Sequence, residues 1–353
     1  MAEPRPTPFL CPSCSLAQLA HAHGNLACPA CGWHAQRQDG VIDLAPDDRR
    51  DTQLDVAAYA ADLPGEAAYW SMFTSLDAVV RQTLGDGPLA TTLELGAGNG
   101  AWTWGLARSP RYRNVYATDI SPEFLRRIAP VIPEDRTLLL RGPAEAITCA
   151  PGSLDLVVGR SFLHHIHDYE ALLAALRGWL RPGGAAVFFE PCLQGKLWIA
   201  FFMEVLRRLD RPAAPGLLAS VLLRLRLRGG AEQRLSARAH SRLHGTMRHI
   251  LKDFYHSDID AIRAGIEDKY VFDIDTLLAA GRAAGFAEAR MVNQPQDGGL
   301  ALRRIRGALE GTLGAEKAAL RAYQPVFDAF DATFGLNGQT APIAPMVHFV
   351  FRA

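Results

Sequence analysis

Leu93-Glu94-Leu95-Gly96-Ala97-Gly98-Asn99-Gly100-Ala101-Trp102 is the stretch whose reading decides the fold. It predicts a β-strand ending in an acidic residue, a glycine-rich turn and the start of a helix. Glycines at 96, 98 and 100 permit the tight turn and let a ligand lie against the main chain, while the helix start offers unpaired N–H groups. A dinucleotide fingerprint would read Gly-x-Gly-x-x-Gly, with a phosphate on the helix end. Here the spacing is Gly-x-Gly-x-Gly and Glu94 stands just before the first glycine, which suits a cationic or hydroxylated ligand better than a pyrophosphate.

Downstream, Asn114-Val115-Tyr116-Ala117-Thr118-Asp119-Ile120 is a second strand ending in an acid, about twenty residues beyond the loop, where a carboxylate can accept both hydroxyls of a ribose. Between them Ala101–Arg108 reads as a helix, and Ser121-Pro122-Glu123 opens another with an N-cap, a proline at the first helical position and an acid in the first turn. Thr137–Arg141 and Leu154–Arg160 make two further strands. A helix over Asp168–Leu180 is closed by Arg181-Pro182-Gly183-Gly184 before a fifth strand, Ala185–Glu190. Near-continuous apolar strands alternating with helices predict an α/β, doubly wound, mostly parallel sheet. Ligands there lie beyond the carboxyl ends of the strands, which is where Glu94, Asp119, Arg160 and Glu190 fall.

From residue 89 to about 190 the chain resembles the class I S-adenosylmethionine-dependent methyltransferases. The resemblance rests on the Glu94 loop, the strand ending at Asp119, Leu154-Asp155-Leu156-Val157-Val158, Ser161-Phe162-Leu163-His164-His165-Ile166, and Leu180-Arg181-Pro182-Gly183-Gly184, in the family's order. It implies a seven-stranded Rossmann-like sheet and S-adenosyl-L-methionine as cofactor, held by Glu94, Gly96, Gly98, Gly100, Asp119, Ile120, Ala144 and Arg160. At one place the chain departs from the pattern. After the third strand the family usually shows Gly-Asp-Ala-Glu, the Asp holding the adenine amino group, and this chain has Gly142-Pro143-Ala144-Glu145. Adenine contact then falls to main chain near Ala144, to Ile120, or to Glu145.

A methyl group on a sulfonium is already activated, so such an enzyme mainly holds the acceptor in line and strips it of solvent. Where the acceptor is a hydroxyl or amide a base helps, and His164, His165 and Glu190 are the candidate catalytic residues because they follow strands bordering the cofactor. His165 reads equally as a helix-start histidine packed on the sheet, and Glu190 as a loop cap.

Four of the six cysteines form two knuckles, Cys11-Pro12-Ser13-Cys14 and Cys28-Pro29-Ala30-Cys31, thirteen residues apart. This spacing presents four thiolates to one tetrahedral zinc, with disulfides as the less favoured alternative and His21, His23 and His34 as rival ligands. The following Asp39-Gly40-Val41-Ile42-Asp43-Leu44 resembles the end of the zinc-ribbon modules found ahead of some bacterial methyltransferases. Residues 1–46 are therefore expected to be a ribbon held by its metal. Residues 47–88 read as a helical linker, in which Tyr59, Tyr69 and Trp70 are packing residues or a lid, 89–190 as the cofactor-binding core, and 271–353 as the completion of the sheet. Asp275 is expected to cap a helix ending near Gly281–Gly285, with strands at Phe286–Val292 and Met346–Phe351 and a helical insertion over 300–340.

Residues 191–270 interrupt the family pattern. Between Lys196 and Lys252 stand twelve Lys/Arg against three Asp/Glu, interleaved with Trp198, Phe201, Phe202 and the run Leu222-Leu223-Arg224-Leu225-Arg226-Leu227-Arg228. A helical cap over the acceptor is the favoured reading, with Trp198, Phe202, His244 and Tyr255 as acceptor-binding candidates and a peripheral-membrane or carrier-protein contact as alternatives. The pairs His240/His244 and His249/Asp253 each fall on one helical face but lack a third ligand in fixed spacing. Lys+Arg and Asp+Glu both number 37 in 353 residues, so no overall basic excess points to nucleic acid. No signal core or membrane-spanning run is present in the sequence, and a cytoplasmic location is expected. The expected function is methyl transfer to a small, largely apolar metabolite. An RNA methyltransferase, and a non-catalytic cofactor-binding partner module, are the alternatives.

Overall fold

The computed structural model describes residues 5–22, 24–44, 64–209, 235–255, 271–293, 300–334 and 346–353. Among them six short strands come first: β1 (Arg5–Leu10), β2 (Gln18–Ala22), β3 (Asn25–Ala27), β4 (His34–Ala35), β5 (Arg37–Gln38) and β6 (Val41–Asp43). Strands β1 to β4 pair antiparallel in sequence order, and the β1–β2 and β3–β4 connections carry the two cysteine knuckles. This small sheet leans on the rest of the chain. Phe9 is fully buried with its ring edge-on to Tyr116 at 5.2 Å, and Leu10 N donates to Thr148 O while Ala150 N donates to Pro8 O.

The chain continues through α1 (Glu66–Leu84), β7 (Leu89–Leu95), α2 (Thr103–Arg108), β8 (Tyr112–Asp119), α3 (Pro122–Ile128), β9 (Thr137–Arg141), β10 (Leu154–Arg160), α4 (Tyr169–Trp179) and β11 (Leu180–Pro191). After these come α5 (Leu193–Leu209), α6 (Ala237–Tyr255), α7 (Ile274–Ala283), β12 (Glu288–Val292), α8 (Leu300–Leu313), α9 (Gln324–Phe334) and β13 (Met346–Arg352). The main sheet has the order β12-β13-β11-β10-β7-β8-β9-β6-β5. From β11 to β6 every neighbouring pair is parallel. The C-terminal end of β13 lies beside the start of β11, with Gly183 N donating to Ala353 O and Ala353 N to Gly184 O, so it runs antiparallel.

The central strands are apolar on both faces because helices cover both: Leu93, Leu95, Val157 and Val158 are inaccessible to solvent. Ser121 caps α3 through a hydrogen bond from Phe124 N, and Asp168 caps α4 through one from Ala171 N. Helix α7 is capped by Asp273, which accepts from Thr276 N at 2.9 Å, rather than by the expected Asp275 two positions on.

The seven expected strands are thus extended by two. Val41–Asp43, read from sequence as the end of the ribbon, pairs parallel with Leu139–Arg141 and makes β6 a member of the main sheet, with β5 antiparallel beyond it. The ribbon therefore does not end at a domain boundary.

The helices after β11 contribute to a second unit, Pro191–Leu277 and Met291–Val347. The two insertions, 191–270 and 300–340, share one core in which Phe202, Met203 and Leu206 of α5 meet Leu243 of α6, Ile305 and Leu309 of α8, and Phe327 of α9. Tyr59, His256 and the run Leu222–Arg228 lie outside the described residues, as do the side chains of His249, Asp253 and Tyr255. Among the described residues no helix is long and apolar enough to cross a membrane.

Candidate active site

Strand β7 ends at Glu94-Leu95 and the chain turns through Gly96, Gly98 and Gly100, each at positive φ. The three glycines differ in what surrounds them. A Cβ on Gly96 would stand 2.5 Å from the ring of Phe162, and one on Gly100 would touch Ile128 at 3.1 Å. A Cβ on Gly98 would meet nothing within 4 Å. Gly96 and Gly100 are glycines for packing, whereas Gly98 lines open space where a ligand can reach the backbone.

Asp119, at the end of β8, faces that space. Its Oδ2 accepts from Gly98 N at 2.8 Å and its Oδ1 from Ser121 N at 2.8 Å, so the carboxylate is fixed against the loop. The carboxylate thus stands beside the open space at Gly98, where a ribose diol could meet it. Glu94 is buried beneath the loop and accepts from Thr103 Oγ1 at 2.6 Å. Burial pushes its carboxyl up to about 8, with the Asp119 charge adding to the rise, while the Thr103 hydroxyl and the Arg160 charge oppose it. Thr103 was not singled out in the sequence, although its place in the first turn after the glycines is the signal that could have found it. Gly142 N donates to Asp119 O, which brings the 142–146 turn with Ala144 alongside Ile120.

Beyond β10 the backbone takes an uncommon step. Ser161 has φ 51°, which for a serine costs about 1 kcal/mol or more unless its surroundings hold it. The hold comes from Glu190, fully buried at the end of β11. Its Oε1 accepts from both Phe162 N (2.9 Å) and Leu163 N (2.8 Å), and its Oε2 lies 2.5 Å from His164 Nδ1. The same turn presses the Phe162 ring on Gly96, joining the β10 and β7 loops. The His165 ring lies 4.2 Å from that of His164 and is more open to solvent.

Glu190 is fully buried, with one oxygen on two amides and the other on His164, so its geometry is that of a group that holds the turn and the His164 ring. It is a positioning residue. Tyr69 is likewise a packing residue, its hydroxyl donating to Asn99 O behind the loop and its ring stacked on Trp104. Trp70 sits edge-on to Trp104 and is partly exposed.

The carboxyl ends of β7, β8, β9, β10 and β11 thus bring together the cofactor-binding candidates and the two histidines. An open backbone cradle at Gly98, a carboxylate fixed beside it and apolar flanks at Ile120 and Ala144 fit a hydroxylated nucleoside. Residues 93–188 match the family model for a methyltransferase domain. Residues 93–188 are thus a methyltransferase domain.

Over 121 residues the chain is 34% identical to a malonyl-[acyl-carrier protein] O-methyltransferase of Chlorobium phaeovibrioides, covering 33% of this chain and 46% of the relative. Over 120 residues it is 31% identical to a hybrid PKS-NRPS synthetase of Talaromyces variabilis, covering 32% of this chain and 3% of that one. The chain thus spans less than half the length of either relative. Among solved structures, an S-adenosylmethionine-dependent methyltransferase from Mesorhizobium loti aligns with 16% identity and a TM-score of 0.41, over 79% of this chain and 98% of that one.

In the N-terminal part of the chain, the Sγ atoms of Cys11, Cys14, Cys28 and Cys31 all lie within 4.8 Å of one another, with no disulfide between them. Burial works to raise the Cys28 thiol, and hydrogen bonds from the Cys31 and Ala30 amides and the Cys31 and Cys11 thiols outweigh it, leaving it at about 7, while Cys31 is pushed up to about 11. Four converging sulfurs with no disulfide among them fit the donor set of a structural zinc site.

In the helical unit the acceptor candidates separate. Phe202 is fully buried and stacked on Phe327 at 5.2 Å, a core position rather than a contact surface, which corrects its sequence reading. Trp198 is half-buried against Phe201 and Phe202, Phe201 is exposed, and His244 is exposed on α6.

Proposed function

We propose that this protein transfers the methyl group of S-adenosyl-L-methionine, by in-line displacement, to a small, largely apolar metabolite in biosynthesis. The observation that carries the reading is the His164–Glu190 pair at the edge of the cofactor loop. Glu190 is an acceptor when ionised, so Nδ1 of His164 carries the proton and Nε2 keeps its lone pair. His164 is then oriented as a base for a hydroxyl or amide acceptor. Nε2 would take the proton of the acceptor's hydroxyl or amide, and Glu190 would offset the charge left on the ring. The cofactor supplies an activated methyl on sulfonium. Glu94, Asp119 and the Gly98 backbone bind it, and Phe162 closes the turn against water.

The chain's similarity to a malonyl-[acyl-carrier protein] O-methyltransferase favours, as a second reading, an acceptor presented on a carrier protein. The basic insertion that follows β11 is the candidate acceptor-recognising part, with Trp198, Phe201 and His244 as its accessible residues. The four thiolates hold one zinc, which a reducing cytoplasm would leave undisturbed.

The test has two steps. Calorimetry should show S-adenosylhomocysteine binding to the full chain. Purified protein, cell extract and methyl-labelled cofactor should then put label in the small-molecule fraction, or in protein if the carrier reading holds. Label in RNA would replace both readings, and cofactor binding without any labelled product would favour a non-catalytic module.

A further inference from the structure

The row of side chains that begins at Asp119 continues across two more strands. Asp119 is in register with Arg141, and Arg141 with Asp43 of β6. Residues in register on adjacent parallel strands project to the same face. Two positions earlier on these strands Ala117, Leu139 and Val41 pack together with Leu125 and Ile128 of α3, so Asp119, Arg141 and Asp43 lie on the α3 face at the carboxyl edge. Arg141 Nη1 donates to Asp43 Oδ2 at 2.9 Å, with the guanidinium mostly buried and the Asp43 side chain 52% exposed. Beside the pair is a cavity of about 340 Å³ lined by Trp33, Gln38, Asp43 and Arg141 and by Pro122 and Arg126 of α3.

At about 4.8 Å per strand, Asp43 stands roughly 10 Å from the ribose acid Asp119. That is close to the span from the ribose hydroxyls to the exocyclic amino group of an adenosine. The usual acid for that amino group is missing, because Pro143 occupies its place in Gly142-Pro143-Ala144-Glu145. Leu44 N donates to Arg141 O, so the strand bearing Asp43 is anchored to the strand that leads into this turn.

We propose that Asp43, carried on the ribbon's last strand and held by Arg141, accepts the hydrogen bond from the adenine amino group of the cofactor. The ribbon then builds one wall of the cofactor site, and its metal holds that wall in place. This rests on the reading that the domain binds S-adenosylmethionine.

The test is calorimetry on the full-length chain with S-adenosylhomocysteine and with S-inosylhomocysteine, in which the amino group is replaced by a carbonyl. The parent should prefer the adenine ligand at least tenfold. Asp43→Ala should weaken S-adenosylhomocysteine about tenfold and leave S-inosylhomocysteine unchanged. Asp43→Asn keeps a carbonyl for Arg141 and turns an amide donor to the ligand, so it should reverse the preference. If both ligands weaken equally, or neither changes, in the folded Asn variant, Asp43 acts only through the fold and the proposal fails. A parent that binds neither ligand would overturn the cofactor reading instead.

Discussion

His164 Nδ1 meets Glu190 Oε2 at 2.5 Å while the other oxygen of the same carboxylate holds the amides of Phe162 and Leu163. In Glu190→Gln the two amides require the side-chain oxygen, which leaves the NH₂ facing Nδ1. The ring must then carry its proton on Nε2, the wrong tautomer for a base. Turnover should fall by about 10²-fold or more while S-adenosylhomocysteine affinity stays within about threefold. A parallel loss of both in calorimetry and rate measurements would mean that Glu190 only supports the loop.

Gly96 and Gly98 should fail differently. Gly98→Ala places its methyl in open space, so its cost in the ligand-free protein is backbone strain of about 1 kcal/mol, yet it occupies the approach to the loop and should lower S-adenosylhomocysteine affinity at least tenfold. Gly96→Ala drives into the Phe162 ring and should lower the Tm more, a loss that Phe162→Ala partly restores. Thermal melts and titrations on the three variants check this. If Gly98→Ala binds normally, the cradle is elsewhere.

The carboxyl-edge acids were legible because Glu94 and Asp119 each terminate an apolar run, and strands β9 and β10 begin and end where the sequence places them. What escaped were relationships between distant segments. Val41–Asp43 finds its partner at Leu139–Arg141, nearly a hundred residues away, and a strand of three residues carries no periodicity to announce it. The shared core of the two insertions is non-local in the same way. Glu190 was visible as an acid after a strand, but its burial is set by the turn at Ser161–Leu163, whose positive φ at a serine has no sequence signature. At α7 the sequence offers two acids, Asp273 and Asp275, and only the backbone path decides between them.

Glu94 makes the ligand-free protein less stable as the pH rises from the acid range to about 8. Its folded-state pKa, about 8, stands above the ordinary carboxyl value of 4.5, so below pH 4.5 the acid is neutral in both states and costs nothing. As pH rises from there towards 8 the unfolded chain gives up the proton and the folded one keeps it, so stability falls by up to about 1.4 kcal/mol per pH unit and levels off above pH 8. Glu94→Gln removes this titration. The Tm difference between variant and parent should therefore grow in the variant's favour from pH 5 to pH 8; parallel curves would count against the buried acid.

Removing the metal should unsettle more than the first 46 residues. Phe9 is packed on Tyr116, and β6 lies against β9, so the ribbon shares its core and its sheet with the methyltransferase domain. Elemental analysis of protein purified under reducing conditions should give one zinc per chain. Chelation, or Cys28→Ser, should lower the main thermal transition by several degrees rather than abolish a separate small one. Two independent transitions would return the ribbon to the status of a detachable module.

Phe201 and Phe202 are neighbours on α5 with opposite exposures, and they separate the two roles that sequence alone merged. Phe202 is sealed between α5 and α9, so Phe202→Ala leaves a cavity and should destabilise the helical unit by about 3–5 kcal/mol. Phe201 is 44% exposed and touches Trp198 and Phe330, so Phe201→Ala should cost under about 1 kcal/mol of stability. If the insertion recognises an apolar acceptor, the exposed ring is the one that contacts it. Phe201→Ala should then raise the acceptor's KM several-fold, with S-adenosylhomocysteine affinity unchanged because the nucleoside acids and the glycine loop belong to the other unit. An unchanged KM in a folded Phe201→Ala protein would place acceptor recognition away from this face of α5.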